Sequence, residues 1–262
     1  MHSEPKISVI TPIHNREKYI RETLECLQKC NYKNWECIVM DDDSTDNSAM
    51  IIKEMARTDS RIKYFHQPKS PIPVTKNNAV AHSSGKYILP LDSDDLIAPE
   101  YIAEAVEILE NNTSVKLVYC SGVFFGDKKG KWKLPAYNFR QLLLKNCIHN
   151  TAVFRRVDFD SAGGYDPNII TSEDWDLWIS LLEKGGEVYF IDKEYFFYRK
   201  HTDSFTDNHQ DKIAATQMQI YANHKEVYDR LIDNPIQFLR DYEKYKKKYN
   251  QLRRLTFRKQ IP

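Results

Sequence analysis

The chain lacks the features that mark membrane-spanning, secreted and nucleic-acid-binding proteins. No apolar run approaches the roughly 20 residues needed to span a bilayer, and no signal peptide is expected, because Met1 to Lys6 leads directly into a β-branched run. The five cysteines, Cys26, Cys30, Cys37, Cys120 and Cys147, are odd in number and scattered. That excludes a disulfide framework or a paired zinc site and suits reduced cytosolic thiols. With 38 basic and 37 acidic side chains the formal net charge is +1, so no overall field points to nucleic acid as a partner. Internal repeats and low-complexity linkers are absent. These absences describe a cytoplasmic protein, at most peripheral on the inner face of the cell membrane.

What is present is a core-forming composition, 41% hydrophobic and 12% aromatic over 262 residues, enough for one large α/β domain with a tail. Strand and helix patterns alternate through residue 111. Strands are expected at Ile7–Thr11, Trp35–Met40, Ile62–His66 and Tyr87–Leu91, with helices from Arg16 to Cys30, from Ser44 or Thr45 to Ala56, from Thr75 to Ser83 and from Pro99 to Glu110. The alternation implies a mostly parallel, Rossmann-like sheet with helices on both faces. It breaks after Val115–Cys120: a hairpin turn is expected at Gly126–Gly130, short elements at Phe139–Leu144 and Ala152–Arg155, a helix from Glu173 to Lys184 and strand from Val188 to Arg199. Residues 1–206 are taken as the main domain, 1–111 as its ligand-binding half and 112–206 as its acceptor half, with 207–262 a helical C-terminal extension.

Two of the expected strands end in acids, at Asp41 to Asp43 and at Asp92, Asp94 and Asp95. Parallel sheets present ligand sites at the carboxyl ends of their strands. Hard cations such as Mn²⁺ or Mg²⁺ take one or two carboxylates plus the oxygens of a phosphate-bearing substrate, so Asp-x-Asp at a strand end suits a diphosphate site. A nucleotide accounts for both clusters, one carboxylate accepting from base or ribose and the other holding the metal. Without a ligand, Asp95 reads as a cap of the next helix and Asp42 as an acid on a helix dipole, worth about 0.3–1 kcal/mol; Asp46 is the better cap. Glu173 and Asp174 open an amphipathic helix and have the same alternative.

Several ordered motifs stand along the chain: Pro12-Ile13-His14-Asn15; Met40-Asp41-Asp42-Asp43-Ser44-Thr45-Asp46; Lys76-Asn77 ahead of Gly85-Lys86-Tyr87; Asp92-Ser93-Asp94-Asp95; and Gly163-Gly164-Tyr165-Asp166 followed by Glu173-Asp174-Trp175-Asp176-Leu177-Trp178. Together, from about Ile7 to Ser204, they resemble the family 2 glycosyltransferases of the GT-A fold, which move a sugar from a nucleotide-sugar to an acceptor hydroxyl. The resemblance implies an inverting, Mn²⁺- or Mg²⁺-dependent transferase with Asp174 as general base and Glu173 beside it. It implies donor binding by Thr11, Pro12, His14, Asn15, Asp42, Lys76, Asp92, Ser93 and Asp94, metal binding by Asp94, Asp95 and His201, and acceptor binding by Gly164, Tyr165 and Trp175. His149 and Arg155-Arg156 fall where family members line the acceptor cleft. Trp178 is expected in the core.

Three residues depart from the family pattern. His14 stands for the usual Tyr, Asp43 for a Gly at a turn, and Lys76 for an Arg, which keeps the charge but loses the fork. No Gln-x-x-Arg-Trp motif follows the base helix, so the processive polysaccharide synthases match poorly. From Leu239 to Lys259 apolar residues recur every three or four positions among Lys246, Lys247, Lys248, Arg253, Arg254 and Arg258. This basic amphipathic pattern suits an anionic membrane surface and hence a lipid-linked glycan acceptor; a helix packed on the domain, or on a second copy in a homodimer, fits it equally. The rival functions are a nucleotidyltransferase, whose glycine-rich phosphate loop is missing from Thr11 to Arg16, a catalytically inactive sugar- or nucleotide-sugar-binding module, and an aspartyl phosphatase, whose nucleophile normally ends the first strand.

Overall fold

A computed structural model describes residues 4–201 and 213–232. The chain divides into two compact units, residues 1–220 and 221–262. The first carries the sheet. Its strands are β1 (Ile7–Ile13), β2 (Trp35–Asp42), β3 (Ile62–Gln67), β4 (Tyr87–Pro90), β5 (Leu96–Ile97), β6 (Val115–Gly126), β7 (Gly130–Trp132), β8 (Val153–Arg155) and β9 (Glu187–Lys200), in the order β3-β2-β1-β4-β8-β6-β9-β5 with β7 beside β6. Strands β3, β2, β1 and β4 are mutually parallel. Beyond them the sheet is mixed: β8 runs antiparallel to both β4 and β6, β9 is parallel to β6, and β5 antiparallel to β9.

The helices between are α1 (Ile20–Gln28), α2 (Ser48–Thr58), α3 (Ile72–Ala81), α4 (Tyr101–Asn111), α5 (Phe139–Leu144), α6 (Arg156–Ala162) and α7 (Glu173–Leu182). Successive strand residues point to opposite faces. One face of the parallel strands, with Ile7, Val9, Cys37, Val39 and Leu89, joins Ile20, Leu24 and Leu27 of α1, Ile52 and Met55 of α2, and Ile102, Val106 and Leu109 of α4 in one core. The other parity, Ile10, Ile38, Met40 and Ile88, is equally buried on the face where α3 packs against β1 and β2. Burial on both faces explains why these strands read as near-continuous apolar runs.

The observed boundaries differ from the expected ones for local reasons. α1 starts at Ile20, not Arg16, because the amides of Arg16 and Glu17 donate to Ser48 Oγ (2.8 Å) and Asp46 Oδ2 (3.0 Å) across the loop. α2 starts at Ser48, not Ser44 or Thr45: the Ser44 amide is held by Asp41 Oδ1 at 2.9 Å and the Thr45 amide by Asn15 Oδ1 at 2.8 Å. Asp46 Oδ1 accepts from the Ser48 amide at 2.9 Å, as expected of a residue opening that helix. The helix α6 and the two-residue β5 were not expected; both are too short to show a period.

The helix α8 (Ile213–Asn223) begins in the first unit; in the second, α9 (Lys225–Leu231) follows, and Tyr221 meets Tyr228 edge to face at 5.2 Å. No helix among the described residues is long and apolar enough to cross a membrane. The basic stretch Leu239 to Lys259 lies outside the described residues.

Candidate active site

The parallel register sets Ile13 beside Asp41 and Ile10 beside Pro90, so the loops after β1, β2 and β4 open at one sheet edge, beside a cavity of about 750 Å³. Its lining includes Pro12, His14, Asp42, Lys76, Asp92, Ser93, Asp94, Glu173 and Asp174. Nine of the residues expected from the sequence are thereby brought to one space.

Each is fixed by identifiable partners. His14 Nδ1 lies 2.9 Å from the Asp42 carbonyl oxygen, pinning the ring to the end of β2. Asp42 is buried, and its Oδ1 accepts from Gln67 Nε2 (3.0 Å) and the Ser70 amide (2.8 Å), while Oδ2 pairs with Lys69 Nζ (2.9 Å). Asp42 thus orders the 67–71 loop at the same wall. Asp92 Oδ2 accepts from Asn150 Nδ2 at 2.7 Å, and burial pushes its carboxyl up to about 6, with Lys76 opposing and Asp94 adding. Asp94 Oδ2 lies 2.9 Å from His201 Nε2 and 3.3 Å from Arg16 Nε.

The helix-borne acids sit differently. Glu173 Oε1 forms a 2.5 Å ion pair with Lys76 Nζ, and Lys76 is 2% exposed. Burial opposes the Lys76 charge, but Glu173 and Asp92 more than compensate and hold its pKa above that of an ordinary lysine. Asp174 Oδ2 accepts from Asn146 Nδ2 at 2.9 Å. Burial pushes its carboxyl up to about 7, the Glu173 charge adding to the shift while Lys76 and Asn146 oppose it. A carboxylate so placed titrates where a base must work.

Other expected site residues lie behind the wall. Thr11 is fully buried, 3.7 Å from Cys37 Sγ. Asn15, at φ 52°, staples the loops after β1 and β2. Asp95 is wholly buried, and its Oδ1 accepts from the Arg199 amide at 2.8 Å; it does not line the cavity, so its side chain braces the Asp94 loop against β9. Gly164, at φ 80°, passes so near Asn77 that an added Cβ would stand 2.9 Å from Asn77 Oδ1. Tyr165 is buried, with its amide donating to Asn77 Oδ1 (2.9 Å) and its carbonyl accepting from Asn77 Nδ2 (2.8 Å). Trp175 is buried and donates from Nε1 to the Leu142 carbonyl at 2.6 Å. These last three were expected to touch an acceptor and do not line the cavity: Tyr165 and Trp175 pack beneath the surface, and the half-buried Gly164 lets the loop close on Asn77. Arg155 and Arg156 likewise bind main-chain carbonyls, at Val115 and Asn112 and at Gly85 and Val80, and leave the cavity. His149 does line it, but is held neutral: burial lowers its pKa to about 4. Trp178 is fully buried, edge to face with Phe154.

Asn146, Asn150, Arg16 and the aromatic residues Phe124 and Trp132 of the cavity had escaped notice in the sequence. The two asparagines sit in an irregular stretch with no period, and only their i, i+4 spacing around His149 could have drawn attention.

Comparison with known proteins decides the family: residues 8–163 match the family described as Glycosyl transferase family 2. The chain belongs to glycosyl transferase family 2. This glycosyltransferase is 31% identical over 213 residues to the putative glycosyltransferase EpsE of Bacillus subtilis, covering 78% of this chain and 77% of that protein. It is 28% identical to the putative teichuronic acid biosynthesis glycosyltransferase TuaG of the same organism, over 78% of this chain and 83% of TuaG. The fold matches crystal structures of S. aureus TarS 1–349 with UDP-GlcNAc, at TM-score 0.71 and 20% identity over 83% of this chain and 66% of that one. It also matches the mannosyltransferase PcManGT of Pyrobaculum calidifontis with GDP-Man and Mn²⁺, at TM-score 0.65 and 18% identity over 88% and 71%. The fold of this glycosyltransferase is GT-A.

Proposed function

We propose that this glycosyltransferase moves a sugar from a nucleoside-diphosphate sugar, a UDP-sugar first among the donors to test, to a hydroxyl of a glycan or lipid-linked glycan, with a divalent cation and inversion at the anomeric carbon. The observation that carries this reading is that Asp94 and Asp174 line one cavity in opposite surroundings. Asp94 meets Arg16 and His201; Asp174 meets burial and a second carboxylate that hold its proton to about 7.

The residues at Asp94 fit Mn²⁺ or Mg²⁺. Asp94, in the cavity wall, and His201 place a carboxylate oxygen and an imidazole nitrogen 2.9 Å apart, and the Arg16 guanidinium, 3.3 Å from Asp94, would turn from it toward the phosphates as the cation binds. Among the described residues no three His, Cys, Asp or Glu side chains form a metal cage, which suits a cation whose remaining positions are taken by diphosphate oxygens and water. When bound, the cation would offset negative charge on the departing nucleoside diphosphate. Pro12, His14 and the Asp42-ordered loop would seat the nucleoside, and Arg16 would face the phosphates. Asp174, oriented by Asn146, would take the proton from the acceptor hydroxyl as that oxygen attacks the anomeric carbon from the side opposite the leaving group. Glu173 would not share that role, being neutralised by Lys76; it holds the start of α7 in place.

Purified protein should release nucleoside diphosphate from a member of a UDP- and GDP-sugar panel, and faster with Mn²⁺ than in EDTA. Equal release in EDTA would sink the metal assignment, and no release or binding from any donor would sink the transfer reading. If the 239–259 stretch docks on anionic lipid, the protein should sediment with anionic vesicles at low salt and be released as screening shortens toward about 8 Å at physiological ionic strength; salt-independent sedimentation, or none, removes the membrane part.

A further inference from the structure

The cavity reaches beyond the donor residues to a wall that the nucleotide does not need. Gly126 to Lys133 forms a hairpin in which β7 pairs antiparallel with β6, setting Trp132 opposite Gly122. A Cβ added to Gly122 would come 3.4 Å from Trp132 Cε3, so the indole lies close across the bare glycine. Phe124 stacks on Trp132 at 5.5 Å and 26°, and Tyr198 meets Trp132 at 4.9 Å and the Phe124 ring edge to face at 6.0 Å. All three rings are half-buried and line the cavity, together with Ile148 and Asp174.

The same hairpin is strongly basic. Lys128, Lys129, Lys131 and Lys133 surround Trp132, with Asp127 the one acid in the turn. Lys131 pairs with Glu194 at 2.8 Å. Lys128 also lines the cavity, its ammonium 4.5 Å from the Phe124 ring centre, so positive charge stands over the aromatic wall.

We propose that this wall is the acceptor subsite, and that it takes a sugar ring carrying an anionic substituent, a carboxylate or a phosphate. The inference rests on the sugar-transfer reading and narrows its acceptor. A pyranose presents a face of C–H bonds that packs on an aromatic ring, whose face is electron-rich. An ammonium held over the neighbouring Phe124 ring selects an anion on the same sugar, most strongly where water is partly excluded. The position also suits the chemistry, since the wall and Asp174 share one cavity, so a ring stacked there can present a hydroxyl to the base.

The test uses the full chain with Mn²⁺ and the nucleoside diphosphate found to bind, and three probes: methyl β-D-glucoside, methyl β-D-glucuronide and glucose 6-phosphate. Binding is followed by saturation-transfer NMR and tryptophan fluorescence. One or both anionic probes should bind about 2–5-fold tighter than the neutral glycoside at low salt, the size expected of one exposed ion pair, and which of them gains tells carboxylate from phosphate. That preference should vanish in Lys128→Met, whose side chain is exposed. Trp132→Ala should weaken all three by about 10-fold, as loss of a stacking ring does, while nucleotide affinity stays within about 2-fold by the same scale; Trp132→Phe should recover part of the loss if the alanine variant does not fold. Equal binding of neutral and anionic probes by the parent protein overturns the anion selectivity. Undiminished binding in the Trp132 variants, or no binding of any probe while nucleotide binds, overturns the subsite. Failure to bind nucleotide at all would instead strike the transfer reading.

Discussion

Two acidic clusters meet at the cavity, one at the end of a strand and one at the start of a helix, and they divide labour in the same way by different means. In the first, Asp95 turns inward to hold the Arg199 amide while Asp94 faces Arg16 and His201. In the second, Glu173 is tied to Lys76 while Asp174 faces the cavity beside Asn146. One acid of each pair ties distant elements together, Asp95 through the Arg199 amide and Glu173 through the Lys76 ammonium. The outer ones face different partners: Asp94 meets a guanidinium and an imidazole, and Asp174 the Asn146 amide, with burial and the Glu173 charge raising its pKa. Adjacent carboxylates in a sequence are thus not interchangeable: in each cluster one is held by a distant element and its neighbour lines the cavity.

Breaking the outer helix acid should have the largest effect on chemistry. Asp174→Asn should lower turnover by about 10²–10⁴-fold, the usual contribution of a positioned base, with donor and Mn²⁺ affinity nearly unchanged by calorimetry; near parental turnover would move the base elsewhere. Breaking the inner pair should tell on stability. Lys76→Met leaves Glu173 charged in a buried site and should cost about 3–5 kcal/mol in denaturant unfolding, largely recovered by adding Glu173→Gln. If the double variant is no better than the single, the two side chains are not coupled. Asp94→Asn should weaken Mn²⁺-dependent donor binding by at least about 10-fold and leave binding in EDTA alone, the reverse of the Asp174 signature.

The contrast also predicts opposite pH responses. Because the folded Asp174 carboxyl titrates near 7, above its unfolded value, the folded state holds the extra proton between them. Its contribution to stability is full at pH below the unfolded value and is lost as pH rises to about 7. Turnover should move the other way, rising about tenfold per pH unit up to about 7 as the base ionises; a flat rate profile from pH 5 to 8 would contradict this. The smallest effect concerns Asp43, which sits at φ 66°, a region that costs a non-glycine residue about 1–2 kcal/mol. Asp43→Gly should raise stability by at most about 1 kcal/mol after the glycine's greater chain entropy is set against it, read as a slightly higher melting temperature; destabilisation would mean that the Asp43 side chain holds the turn.

The parallel half was legible because its strands are buried on both faces and α1, α2 and α4 carry one apolar stripe each, such as Ile20, Leu24 and Leu27, so period and type agree. The mixed half was legible only where a hairpin or a long run marked it. The two-residue β5 and the seven-residue α6 owe their form to partners far along the chain, Leu96 pairing with Phe197 in the one case. At the site, the sequence pointed to the acids but did not separate wall from support. Gly164, Tyr165 and Trp175 belong to ordered motifs, and a motif marks residues that cannot change without marking whether they face solvent or one another. Asn146 and Asn150, which orient Asp174 and Asp92, were hidden because a single side-chain amide in a loop leaves no pattern.

Asn77 uses its one amide on both polar groups of Tyr165, donating to the carbonyl and accepting from the N–H, as a neighbouring strand would. A side chain of α3 therefore acts as a ruler for the chain that leads into α7. With Tyr165 clamped at one end and Glu173 moored to Lys76 at the other, the seven residues between are a span of set length. Lengthening it by one residue would have to bow the chain at Ile170 to Ser172, which line the cavity, so the reach from Asp174 to the strand-end acids is gauged from α3.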